Sequence, residues 1–333
     1  MIRLLFIFLT LVSTLALGLT HSAYAAPIVI RFSHVVKSDT PKGLAALKFA
    51  ELTKERTKGR VIVQVYDNSS LYKDKEELEA LQLGAVEMLA PSLAKFGQLG
   101  FRDFEVFDLP YIFPNRQSLR AVTQGPIGKK LLSQLEERGI KGLAYWDNGF
   151  KVMSANSPIH HPSDLKGKRM RVQPSKVIEL QMSALGAESV PLPYSDAYRA
   201  LKTGLVDGTE NPPSNLYSEK MHEVQKYIAV TNHGYLGYAV IVNKRFWDTL
   251  PNDIRNILEK CLQEATLENN EQTDRLNEQA LIATQKSPTT NVVHLSEAEL
   301  LEWRKALEPV YDKMQGRIDK ELINSIRRTT VRP

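Results

Sequence analysis

Cysteine is almost absent from this chain: Cys261 is the only one in 333 residues, which excludes an intramolecular disulfide. Ile254, Ile257, Leu258 and Leu262 surround it at helical spacing, so it reads as a small buried hydrophobe rather than a nucleophile. The chain also lacks GxSxG, HExxH and any Cys or His pair at metal-ligand spacing. That removes the common exported hydrolases and gives no reason to expect a metal, a cofactor or any catalytic residue. Beyond residue 25, no segment approaches the roughly 20 uninterrupted apolar residues of a membrane-spanning helix. Charge of one sign is scarce as well, since 43 Lys and Arg face 38 Asp and Glu for a net +5. The cations are too dispersed for a nucleic-acid-binding stripe.

What is present begins with MIRLLFIFLTLVSTLALGLTHSAYA, which has the three regions of a secretory leader. Cleavage is expected after Ala25. The apolar run from Leu4 to Leu19 is interrupted by Thr10, Ser13, Thr14 and Gly18 and is short for an anchor, so release into the periplasm is expected. The remaining chain is long enough for two lobes with separate cores, and a hydrophobic fraction of 43% argues against disorder.

Two stretches echo each other. Tyr72 to Glu87 and Tyr194 to Asp207 each read as a helix with Asp near its start, a Gly stop at Gly84 or Gly204, and a short strand beyond. Upstream lie GRVIVQVY from Gly59 and GKRMRVQ from Gly167, both alternating strands. Two related α/β lobes explain this order. Two unrelated helix-strand units in one large domain are the alternative.

In open α/β sheets, ligands bind beyond the carboxyl ends of strands. Three such ends carry polar residues. PIVIRFSHVV exits through Ser33, His34 and Lys37 into a helix start at Thr40-Pro41. The strand after Gly84 leads to Ala90-Pro91-Ser92, and the one after Gly204 leads to TENPPSN. In the last, Asn211 precedes Pro212, which forces it into an extended conformation and fixes where its amide points. In GKRMRVQPS, Arg169 and Arg171 lie on the same strand face, so parity does not say which meets a ligand.

From Asn252 to Lys286 there is no Gly or Pro. One continuous helix would be about 50 Å long, more than a single lobe needs. It either crosses both lobes or breaks into two helices at a polar elbow near Asn269-Asn270.

The stretches RFSHVVKSDTPKG, LYKDKEELEALQLGAVEMLAPSL, YWDNGFKVMSAN, DLKGKRMRVQPS, VDGTENPPSNLYSEKMHEVQKY and HGYLGYAVIVNKRFW together resemble the solute-binding subunit of tripartite ATP-independent periplasmic (TRAP) transporters, of the C4-dicarboxylate-binding type. The resemblance implies an α/β fold, a two-lobed periplasmic-binding-protein-like clamp with a long helix spanning both lobes. It implies lobe I at residues 26–149 plus about 238–275, and lobe II at 150–237 plus about 276–333. It also implies a small C4-dicarboxylate ligand such as succinate, fumarate or malate, membrane subunits of a TRAP transporter as partners, and a monomer without enzymatic activity. Another organic acid, or a ligand-presenting role beside a sensor kinase, suits the same fold. Arg171 takes the family's carboxylate-binding arginine position, with Arg169 its more exposed neighbour, and Asn211 would hold the same carboxylate. Lys151 stands where many members carry a second arginine. For the second carboxylate, Lys73, Ser92 and His34 are the candidates, with Tyr235 as a pocket wall. His160 and His161 are expected on the surface.

Overall fold

The computed structural model describes residues 26–331; the expected leader lies outside them. Eleven strands form two sheets: β1 (Ile28–Ser33), β2 (Val61–Tyr66), β3 (Met88–Leu89), β4 (Ile140–Phe150), β5 (Val152–Ala155), β6 (Arg169–Val172), β7 (Glu188–Pro191), β8 (Gly208–Asn211), β9 (Tyr227–Val230), β10 (Tyr235–Asn243) and β11 (Asn291–His294). The first lobe carries the order β2-β1-β3-β10-β4, and the second β11-β9-β5-β8-β6-β7. The chain changes sheet between β4 and β5 and returns between β9 and β10.

The sheet orders show where the internal echo lies. β1 is parallel to β2 and β3, as β6 is parallel to β7 and β8. β10 runs antiparallel to β3 and β4, as β5 does to β8 and β9. Thus β6 is the counterpart of β1, and β2 corresponds to β7. The sequence matched β2 to β6, one strand out of step, because both are entered from a Gly and a basic residue. The helix, Gly and strand portion of the echo holds: Glu77–Leu83 and Ala197–Lys202 end near Gly84 and Gly204, both left-handed, and lead into β3 and β8.

The same correspondence explains Arg169. Its Nε and Nη2 clasp Asp207 at 3.1 and 2.8 Å, and its backbone N–H donates to the same carboxylate. In the first lobe Arg31 does this with Glu87, at 2.9 and 2.5 Å. Both forks tie the first strand of a lobe to the turn before its third. Arg171, two residues further along β6, occupies the place that Ser33 has in β1.

The first-lobe core stacks Phe32, Phe49 and Trp146 between the sheet and its helices. Cys261 is buried in it. A second cluster is continuous across the molecule, from Phe104 and Phe107 to Met182, Trp303 and Ile326. The C-terminal helix Lys320–Val331 accordingly packs on the helix Arg116–Thr123 as well as on the turn Arg102–Asp108.

Asn252–Gln285 is one unbroken helix of 34 residues, packing on the helix Pro41–Arg56 and β4 in one lobe and on the helix Pro213–Ser218 and β11 in the other. Its polar middle is not an elbow. Asn269 and Asn270 are buried and bond the backbone of Asp147, as does Thr273. Asn277 donates to Asn148 O at 2.7 Å and accepts from Ser214 N–H at 3.0 Å, bridging the two lobes. These side chains satisfy backbone groups where the sheet ladder is interrupted.

Gly149 sits in this crossover at φ +117°, a region open essentially to glycine alone. A Cβ there would meet Asn277 Nδ2 at 2.7 Å. Gly149→Ala therefore adds a clash to a backbone cost of about 1–3 kcal/mol. Gly59→Ala, at φ +77° with nothing within 4 Å, carries the backbone cost alone. Thermal denaturation should show the larger drop for Gly149→Ala; equal drops would mean that the Asn277 bridge yields freely.

Candidate functional site

The strand ends of the two sheets meet around a pocket of about 400 Å³, part of it open to solvent. Arg171, Asn211 and Lys151 reach it from the second lobe's strands, while Ser92, Lys95, Asp74 and Tyr238 come from the first-lobe side. Two sets of polar contacts hold the lobes together at its rims. On one side Lys37 Nζ donates to Ser218 O at 3.0 Å and pairs with Glu219 at 3.5 Å. On the other, Tyr194 N–H donates to Asp74 at 2.6 Å, and Lys73 pairs with Asp196 at 3.8 Å.

Four sequence candidates are thus brought together: Arg171, Asn211, Lys151 and Ser92. Three others lie elsewhere. Lys73 is exposed on the rim beside Asp196 and does not line the pocket. His34 is fully buried behind the pocket with its ring edge on Phe32; burial, reinforced by Lys42, lowers its pKa to about 3, so it stays neutral. Tyr235 points into the crossover, where its hydroxyl donates to Asp147 at 2.9 Å and its ring packs on Phe113 and Phe150. Leu236 and Tyr238 on the same strand line the pocket instead. His160 and His161 are exposed, paired with Glu299 and Glu302.

The lining includes charges that the sequence did not single out. Lys95 is buried between Asp74, at 2.5 Å, and Glu77. Burial would push the Asp74 carboxyl up, but the Lys95 charge and hydrogen bond overcome this and hold it at about 2. Lys151 is buried and pairs with Glu210 at 2.8 Å, and His233 stands behind that carboxylate at 3.7 Å. Lys42 is buried beneath the wall, its Nζ 3.8 Å from the Tyr238 ring centroid and bonded to Ala90 O at 3.0 Å. Burial lowers its pKa to about 7. In sequence Lys42, Lys95 and Glu210 look like ordinary charges, because only the fold reveals that they are enclosed.

Arg171 is the exception to this pairing. It is 2% exposed, and its Nε and Nη2 both donate to Leu192 O at 3.0 and 2.7 Å. It has no ion-pair partner among the described residues. Burial works against its charge, with Asp74 and Glu210 partly offsetting the cost from a distance. One edge of the guanidinium is anchored to the backbone, so the rest is presented in a fixed orientation. Ser92 lies alongside Tyr238 through a backbone bridge and accepts from Ala94 N–H, which leaves its own O–H to donate. The Tyr238 hydroxyl accepts from Asn215 and likewise keeps its proton for another acceptor. A fixed cation with no carboxylate in direct contact, set beside neutral donors, can receive a small carboxylate.

Residues 32–317 match the family described as bacterial extracellular solute-binding protein, family 7. The chain belongs to this family. It is 58% identical over 318 residues to the C4-dicarboxylate-binding periplasmic protein DctP of Rhodobacter capsulatus, covering 96% of each chain. It is 41% identical to the C4-dicarboxylate-binding protein DctB of Bacillus subtilis, over 90% of this chain and 85% of that one. Among solved structures, a TRAP periplasmic solute-binding protein from Shewanella oneidensis with bound succinate superposes with a TM-score of 0.89 at 39% identity, covering 92% of this chain and all of that one. Another, from Pseudomonas aeruginosa with bound L-malate, gives 0.84 at 42% identity over 86% of this chain and all of that one. The two-lobed clamp with its spanning helix is this family's fold.

Asp74 joins the lobes and the charge network, which gives a pH signature. Its folded pKa of about 2 lies below the unfolded value of 3.8, so its ionisation stabilises the fold above about pH 3.8 and ceases to do so as pH falls through about 2. Asp74→Asn should lower the melting temperature at pH 7, with the gap from the unmodified protein narrowing as pH falls from 4 towards 2.5. A constant gap over that range would show that the carboxylate's charge contributes nothing.

Proposed function

We propose that this protein is a periplasmic solute-binding subunit that captures a C4-dicarboxylate between its lobes and delivers it to the membrane subunits of a TRAP transporter. The buried guanidinium of Arg171, without a carboxylate of its own, is the observation that carries this reading. A ligand carboxylate supplies the missing anion, and Asn211 adds an amide donor to the same group. The second carboxylate meets Ser92 and Tyr238, with Lys151 and Lys95 contributing charge already shared with Glu210 and Asp74. Relatives whose names include C4-dicarboxylate binding, and structures holding succinate or L-malate, support the ligand class.

In this reading the protein binds and releases its ligand unchanged, as a monomer. The lobes divide at residues 26–149 with about 238–275, and 150–237 with about 276–333; the sheet changes after β4 and β9 support two lobes, while β10 already starts the first-lobe return at Tyr235 and the helix Lys320–Val331 packs on first-lobe elements. No helix among the described residues is long and apolar enough to cross a membrane, which suits release after cleavage near Ala25.

Thermal-shift and calorimetric titration against succinate, fumarate, malate, neutral sugars and free amino acids test the assignment. Dicarboxylates should raise the melting temperature by mass action; a shift from a sugar and none from any dicarboxylate would sink it. Arg171→Ala should weaken the best dicarboxylate by about 2–5 kcal/mol, roughly 30-fold to several-thousand-fold, because it leaves a buried carboxylate unpaired. Arg171→Lys should lose much of this too, since an ammonium cannot reproduce the planar fork. Arg169→Ala should leave affinity nearly unchanged, because its guanidinium is spent on Asp207. Equal losses in the two alanine variants would place the wrong arginine in the pocket.

A further inference from the structure

Asn215 lines the pocket one helical turn beyond Asn211, is 1% exposed, and has a side-chain carbonyl with no hydrogen-bond partner. Its Nδ2 donates to Asn211 Oδ1 at 3.1 Å and approaches the Tyr238 hydroxyl at 3.4 Å. These contacts follow from the ligand's charge. To receive a carboxylate, Asn211 must turn its amide nitrogen towards it and its oxygen away. That oxygen then needs a donor, which Asn215 Nδ2 provides. The relay ends at Asn215 Oδ1, a buried acceptor that must find a donor or remain unsatisfied at a free-energy cost.

With the free hydroxyls of Ser92 and Tyr238 assigned to the second carboxylate, no side chain of the pocket is left to supply that donor. Lys95 is held by Asp74 and Glu77, and Lys151 by Glu210. The Arg171 guanidinium is fixed to Leu192 O, and Tyr194 donates its hydroxyl to the backbone carbonyl of Asn215 rather than to the amide. Gln173 is only half-buried and keeps access to water. Ionised succinate and fumarate bring acceptors alone. A hydroxyl on the carbon next to the carboxylate brings a donor to the neighbourhood of Asn211, where Asn215 waits.

We propose that Asn215 is a specificity-determining residue whose side-chain carbonyl accepts a hydrogen bond from a ligand hydroxyl, so that the site selects 2-hydroxylated C4-dicarboxylates of the malate type over succinate and fumarate. This rests on the assignment of C4-dicarboxylates to the pocket and narrows it. The amide pair reads the ligand as acceptor at Asn211 and donor at Asn215, two features that a 2-hydroxy acid presents side by side and that succinate and fumarate do not. The chirality at C2 decides whether the hydroxyl reaches Oδ1, so the two enantiomers of malate are distinguished as well.

Calorimetric titration of the mature protein with succinate, fumarate, L-malate and D-malate tests this. One malate enantiomer should bind about tenfold or more tightly than succinate, the consequence of satisfying a buried acceptor. Asn215→Asp retains an oxygen acceptor and should keep the malate-to-succinate ratio at or above its original value while weakening both ligands. Asn215→Leu removes the acceptor and should bring the ratio to within about twofold. Succinate and both malates binding the unmodified protein within twofold would overturn the inference and leave the dicarboxylate assignment standing, as would a ratio that survives in the Leu variant. If the Leu variant binds nothing, the Asp variant decides by whether the ratio is kept or lost. Failure of every C4-dicarboxylate to bind the unmodified protein would overturn both.

Discussion

A buried charge must be compensated where it stands, and this requirement organises the centre of the molecule. Removing an ion from water costs several kcal/mol even after relaxation, so Lys95 is enclosed by Asp74 and Glu77, and Lys151 by Glu210. Arg171 alone among the lining cations has no carboxylate in contact, only Leu192 O and the face of the Tyr194 ring at 5.9 Å. Its charge, offset only from a distance by Asp74 and Glu210, underlies the proposed choice of an anion without making the pocket broadly basic, because the neighbouring lysines are already neutralised. Asp74 also accepts from Tyr194 N–H across the cleft. Charge pairing in one lobe and contact with the other therefore share one carboxylate.

The two lobes solve the same packing problem on one frame and differ where function requires it. Arg31–Glu87 and Arg169–Asp207 are equivalent forks that fix corresponding strands. Just beyond them, β1 turns a serine inward where β6 turns an arginine. Ser33 is small and buried beside the core, whereas Arg171 extends into the pocket. The long helix packs Ile254, Leu258 and Leu262 into the first-lobe core but meets the crossover through polar contacts. Asn269, Asn270, Thr273 and Asn277 bond backbone at the crossover, which lets the helix hold two sheets that change neighbours there.

Much of this could be read from residue patterns, and the failures have physical causes. The echo between Tyr72–Glu87 and Tyr194–Asp207 is a repeat of local signals: Asp at a helix start, a left-handed Gly stop, a strand beyond. Those signals are local in sequence and were legible. The strand partnership was not, because sheet order depends on pairings far apart in the chain, and β2 and β6 share only an entry pattern. Arg171 and Asn211 stood out by motif and by the constraint of Pro212. Asp74, Lys95 and Glu210 did not, since a charged residue looks the same in sequence whether it is enclosed or solvated. His34 misled for the complementary reason: it lies at a strand end as expected, but its neighbours Phe32 and Lys42 leave it neutral and enclosed. HGYLGY offered Tyr235 as a pocket wall, yet Tyr235 serves the crossover and Tyr238, three residues on, lines the pocket.

The division of donors between the lobes has a consequence for the clamp's motion. Arg171 and Asn211 belong to the second lobe, and Ser92 and Tyr238 to the first. A ligand seated on one lobe alone satisfies one end of itself, whereas closure satisfies both, so its affinity for the closed form exceeds that for the open form. Differential affinity of this kind is what allows a ligand to shift a conformational equilibrium. The rim contacts of Lys37 with Ser218 and Glu219, and of Lys73 with Asp196, are partly exposed and individually weak. Apart from the bond from Tyr194 N–H to the buried Asp74 carboxylate, the rim adds little to closure. In the proposed reading the ligand itself supplies most of what favours closure, which is what a delivery protein needs of its closed state.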